Sequence, residues 1–111
     1  MLEIEQVIEL EILARDEIER LEAEIEGARE GTEAVAPDAA IGRLSRIDSM
    51  QIQEMAKDAQ RRRELRLRML REALERMDSG EYGRCGACGE WIDYPRLESA
   101  PESVKCGNCA S

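Results

Sequence analysis

Two C-x-x-C pairs constrain this chain more than any other feature: Cys85-Gly86-Ala87-Cys88 is answered, after 17 intervening residues, by Cys106-Gly107-Asn108-Cys109. Each pair closes a tight knuckle whose two sulfurs can face one ion, and two knuckles complete a tetrahedron, the layout of a zinc site. The chain has four cysteines and no histidine, so the cage is expected to be all-cysteine, with one Zn2+ on Cys85, Cys88, Cys106 and Cys109. Four thiolates leave no open position for water, which makes that zinc structural rather than catalytic. Gly86, Gly89 and Gly107 fall at the knuckle bends, where a residue without Cβ can take the positive φ that such turns often need. Two other uses of the cysteines compete with zinc. A pair of disulfides suits a secreted mini-protein, but Met1-Leu2-Glu3-Ile4-Glu5-Gln6 offers neither a basic nor an apolar export region. A thioredoxin-like redox role needs one C-x-x-C in a βαβ context that is missing here.

With 111 residues, 3% aromatics, no Phe and 37% charged residues, a large globular core is disfavoured and a long two-helix element is favoured. Small cores need a staple, which metal supplies to the C-terminal module. The net charge of −9 is unevenly spread: residues 1–33 carry −9, residues 34–77 carry +3 and residues 78–111 carry −3. Such an acidic balance disfavours free nucleic acid as the main partner, because nonspecific affinity comes from neutralised phosphates. No apolar run approaches the roughly 20 residues of a membrane span, so a soluble cytoplasmic protein is the expectation.

Leu2 to about Glu30 reads as one helix, with Ile4, Val7, Ala14, Ile18, Leu21, Ile25 and Ala28 on one stripe. Glu11 interrupts this stripe, and Ile8 and Leu10 flank it. The remaining, glutamate-rich face is either solvated or a dedicated acidic surface. Gly31 and Pro37 break the pattern, which places a hairpin tip near residues 31–38. A second helix is expected from about Ala39 to Met77, stopped at Gly80, with Ile41, Leu44, Ile52, Met55, Ala59, Leu67, Leu70, Leu74 and Met77 as its seam. At 1.5 Å per residue the helices measure about 43 and about 58 Å, so the second is expected to overhang and lead into the module. The fold class is therefore mainly α: a long antiparallel coiled-coil hairpin over residues 1–77, then a small four-cysteine zinc-finger module over residues 78–111. A tip near 34 and 35 pairs residues whose numbers sum to about 70. Arg61, Arg62, Arg63 and Arg66 would then oppose Glu3, Glu5 and Glu9, and Arg43 and Arg46 would lie near Glu22, Glu24 and Glu26. The basic run from Lys57 to Arg71 either complements the first helix in this way or meets an acidic partner. Trp91, Ile92, Tyr94, Leu97 and Val104 are the apolar cover for the knuckles, with Trp91 packed beside the metal or against the overhanging helix.

Between the pairs, Ile92, Arg96 and Pro101 fall inside Cys85-x2-Cys88-x3-Ile92-x3-Arg96-x4-Pro101-x4-Cys106-x2-Cys109, and the approach is Gly80-Glu81-Tyr82-Gly83-Arg84. This pattern resembles the DksA/TraR C4-type zinc-finger family, with Gly86 as a departure where the family more often has a polar or acidic residue. The stretch from Gly42 to Gln51 is similar to a segment of short members. The resemblance implies a coiled coil that enters the secondary channel of bacterial RNA polymerase while the zinc globule docks at its entrance. Transcription would be regulated without direct sequence-specific DNA binding. It also makes Asp38, Arg43, Arg46 and Asp48 the candidate partner-binding residues near the tip, and Ile92, Arg96 and Pro101 structural positions of the motif. Relative to longer members, the extra N-terminal helix is expected to be absent. Asp38 also reads simply as an N-cap for the second helix.

No catalytic constellation is present in the sequence: there is no histidine, no phosphate-binding glycine loop, and the carboxylates are spread along helix faces. A non-enzyme is expected. The competing classes are a zinc-ribbon coiled-coil adaptor that binds another protein or itself, and, disfavoured by charge, a finger on nucleic acid.

Overall fold

The computed structural model describes residues 2–34 and 46–110, with side chains for 2–29 and 48–110. Two long helices dominate it, α1 (Ile4–Ala34) and α2 (Arg46–Ser79), followed by the short helices α3 (Tyr94–Ser99) and α4 (Gly107–Ala110). No strand occurs among the described residues, only an isolated antiparallel bridge between Arg84 and Trp91. None of the described helices is long and apolar enough to cross a membrane. The described residues extend over 58 × 27 × 19 Å, a rod with its bulk at one end.

Local sequence sets the helix ends that are described. Gln6 Oε1 accepts the Glu3 backbone N–H at 3.0 Å, the return half of a capping box at the start of α1. At the end of α2, Gly80 takes a φ of 79°, and Glu81 N–H reaches the Arg76 carbonyl at 2.9 Å while Gly80 N–H reaches that of Met77 at 3.4 Å. These two bonds form a Schellman cap, so Gly80 is the stop that its position promised. Gly31 is not a stop: α1 runs on to Ala34. A glycine within a helix costs only about 1 kcal/mol, too little to end one that its neighbours favour. The expected start of α2 at Ala39, residues 35–38 of the expected tip, Ile41 and Leu44 lie outside the described residues.

The register differs from expectation. Arg66 pairs with Glu17, Arg63 with Glu24, Arg71 with Glu22 and Arg29 with Glu64, while Gln60 Nε2 donates to the Ile25 carbonyl. Facing numbers thus sum to between 83 and 93 rather than to about 70, as α1 continues past Gly31 to Ala34 and the turn is not centred near 34 and 35. Arg66 therefore reaches Glu17 instead of Glu3, Glu5 or Glu9, and Arg61 turns to its own helix, to Asp58. The overhang is also reversed. The first turns of α1 pass the end of α2 and lie against the C-terminal module.

One apolar seam serves both helices. Ala14, Leu21 and Leu70 are buried together, with Ile18, Leu67, Leu74 and Met77 packed around them. A second cluster joins the base of the coil to the module: Leu10 and Ala73 are buried with Tyr82, Cys85, Ile92 and Leu97. Leu10 is therefore core rather than flank, and Ile4, expected on the seam, is exposed. Ile52 and Met55 are exposed as well.

Candidate metal centre

Backbone hydrogen bonds shape both cysteine knuckles. In the first knuckle, Gly89 N–H donates to the Cys85 carbonyl at 2.9 Å and Cys85 N–H donates to that of Glu90 at 2.8 Å, with Gly89 at φ 77°. The second knuckle opens α4, where Cys109 and Ala110 N–H groups donate to the Cys106 carbonyl at 3.1 and 3.0 Å. Gly86 N–H ties the knuckles together through the Val104 carbonyl at 2.8 Å. Gly86 and Gly107 do not adopt positive φ, and a Cβ at Gly86 would make only ordinary contact while one at Gly107 would meet nothing. The positions that need glycine are Gly80, Gly83 and Gly89.

The sulfurs of Cys85, Cys88, Cys106 and Cys109 all lie within 4.8 Å of one another, and those of Cys88 and Cys106 are 3.7 Å apart. A tetrahedron with Zn–S bonds of about 2.3 Å has edges of about 3.8 Å, so the cluster has the size of a four-thiolate zinc cage. It can hold one metal ion. Its electrostatics favour a cation. The Cys106 and Cys88 backbone N–H groups lower the Cys85 thiol to about 6, whereas the neighbouring Cys106, Cys85 and Cys88 sulfurs push Cys109 up to about 12. Cys88 is raised on balance, since the lowering by the Glu90 N–H is outweighed by the Cys85 sulfur, burial and Cys106. Four thiols this close cannot all ionise without a positive charge among them, and a divalent ion supplies it while releasing the protons.

The motif residues surround this cage. Ile92 is buried in the cluster that contains Cys85, and Pro101 is fully buried. Arg96 Nε donates to the Lys105 carbonyl at 2.9 Å, fixing the residue before Cys106. Trp91 lies over Gly83 at the module's edge, with the Arg84 guanidinium 4.6 Å from the ring centroid, and Val104 is partly open to solvent. Of the tip candidates, Asp48 is exposed in the first turn of α2. Arg46 opens that helix, and its side chain lies outside the described set together with Asp38 and Arg43.

The sequence singled out Arg66 and Tyr94 but not the partners that hold them, Glu102 and Glu9, nor the hydrogen bond that closes the module at Tyr82. Glu102 is buried and accepts Arg66 Nε at 2.6 Å, while Arg66 Nη1 reaches Glu17 at 2.8 Å. Tyr82 donates its hydroxyl to the Pro101 carbonyl at 2.8 Å, and burial pushes its pKa up to about 12. Tyr94 donates to Glu9 at 2.7 Å, and that carboxylate raises it to about 12 as well. These contacts join residues 36 to 85 positions apart, or cross a loop, so no local pattern announces them.

Comparisons with protein-family models and with curated proteins found no match. Among solved structures, the chain is similar to the transcription factor DksA2 from Pseudomonas aeruginosa, with a TM-score of 0.79 and 25% identity over 97% of this chain and 82% of that one. The likeness takes in both the two-helix rod and the module at its base. With the four-cysteine cluster at the positions of the C4 pattern, it makes this chain a DksA/TraR-like zinc-finger protein.

Proposed function

We propose that this protein regulates transcription by binding bacterial RNA polymerase through the secondary channel, with the hairpin inserted and the module at the entrance. The observation that carries this reading is the fit to a transcription factor over 97% of the chain, since rod and globule must be placed alike for both to match. Residues 1–77 act as the inserted hairpin and 78–111 as the docking module. Cys85, Cys88, Cys106 and Cys109 hold one structural Zn2+, which supplies a fixed cross-link between the knuckles and no chemistry. Ile92 and Pro101 fill the module behind that cage, and Arg96 anchors the second knuckle. Asp38, Arg43, Arg46 and Asp48 are the residues for polymerase contact. The protein works in the cytoplasm, as a non-enzyme, without reading DNA sequence.

A pull-down with purified core RNA polymerase tests this. Retention of wild type, and loss of retention after Cys88→Ser, is expected; no retention at any salt concentration overturns the reading. Transcription from a ribosomal-type promoter at matched polymerase occupancy then compares wild type with Asp38→Asn and Asp48→Asn. Unchanged regulation in both variants removes the two acids from the mechanism.

A further inference from the structure

The outer side of α1 carries an apolar stripe that the fold does not use. Ile4, Ile8 and Ile12 follow one another at four-residue spacing, which aligns them along one face over two helical turns. They are 79%, 51% and 55% exposed, respectively, while Leu10 and Ala14 on the opposite side are fully buried. The stripe thus faces away from both α2 and the module. Single exposed apolar residues need no explanation, but three β-branched side chains in register form the anchor pattern of a helix-to-helix contact.

The surroundings of the stripe specify its occupant. Glu5, Glu9, Asp16 and Glu19 are exposed beside it, and Glu5, Asp16 and Glu19 make no ion pair among the described residues. Arg15, at the stripe's edge, is already held by Glu11 at 2.8 Å. A second copy would bring the same carboxylates against themselves, and anionic lipid would be repelled for the same reason. We infer that this face docks an amphipathic helix of a partner protein, one with an apolar ridge flanked by Lys and Arg. The ridge would cover Ile4, Ile8 and Ile12, and the flanking cations would pair with Glu5, Asp16 and Glu19.

The test uses the full-length, metal-loaded protein and a fluorescent designed peptide of about four helical turns, with Leu along one face and Lys on both flanks. Anisotropy titrations should show binding that weakens as salt rises. Ile8→Ser and Ile12→Ser should each weaken it about tenfold, the loss expected for one buried aliphatic side chain. A peptide with Glu in place of Lys should not bind. Because both isoleucines are exposed, the variants should keep the wild-type circular dichroism spectrum, so lost binding reports the surface rather than the fold. Equal affinity in wild type and both variants, or no binding at low salt, overturns the inference. So does sedimentation showing a wild-type dimer that Ile8→Ser dissolves, which would make a second copy the occupant.

Discussion

Arg66 and Glu102 meet at 2.6 Å across 36 residues of sequence, and the same guanidinium holds Glu17 at 2.8 Å, so one side chain of α2 ties α1 to the loop that precedes the second knuckle. Glu102 raises the Arg66 pKa, chiefly through that hydrogen bond. The carboxylate keeps only 10% of its side-chain surface in water, whereas Arg66 keeps 33%. Arg66→Met should therefore leave a buried charge unpaired and cost about 2 kcal/mol, less than breaking a fully buried pair because solvent already screens the guanidinium. Glu102→Gln keeps a hydrogen-bond acceptor and should cost about half as much. Thermal melts of both variants, metal-loaded, check the order; Glu102→Gln as damaging as Arg66→Met would show that the charge is not what matters.

Metal removal should loosen the base of the rod before its middle. Leu10 and Ala73 share a buried cluster with Cys85, while Ala14, Leu21 and Leu70 form another. After chelation, or in Cys88→Ser, amide exchange should accelerate in the module and around Leu10 and Ala73, with protection kept longer around Leu21. Uniform loss of protection along both helices would contradict this. Elemental analysis of metal-replete protein should return one zinc per chain.

Gly83→Ala should destabilise the protein by about 1 to 3 kcal/mol, the range for an L side chain forced into an unfavourable backbone region. Gly83 has a φ of 99°, and an added Cβ would lie 2.8 Å from Leu2 Cδ1 and 3.4 Å from Trp91. Leu2 can move, so most of the cost should persist in a Leu2→Ala background. Full rescue by Leu2→Ala, measured in denaturant titrations, would assign the penalty to the clash instead.

Alkaline stability should depend on Tyr82. Its folded-state pKa, raised by burial to about 12, lies above the ordinary value of 10.0, so the unfolded chain releases the proton first. The contribution is complete below about pH 10 and is lost as pH rises toward 12. Tyr82→Phe should lose the hydrogen bond to Pro101, about 1 kcal/mol, at neutral pH. It should also show a shallower decline than wild type between pH 10 and 12. Parallel declines would mean that Tyr82 does not titrate with unfolding.

Much of this architecture is written locally. Two C-x-x-C pairs at the separation of a zinc site announce the two knuckles, Gly80 can end α2 because a residue without Cβ enters the left-handed region freely, and apolar residues at helical spacing select Leu21, Ile25, Leu70 and Leu74 for the seam. The tertiary structure decided the register. Glutamates and arginines recur along both helices, so exposed pairs worth about 0 to 1 kcal/mol each can be satisfied in several alignments. Burial breaks that degeneracy. Leu10 and Ala73 must close over Tyr82, Cys85, Ile92 and Leu97, and Glu102 must find Arg66, which fixes Glu17 rather than Glu3, Glu5 or Glu9 as the acid opposite that arginine. Such long-range demands have no periodicity to read in a sequence, because each depends on where the module comes to rest against the coil.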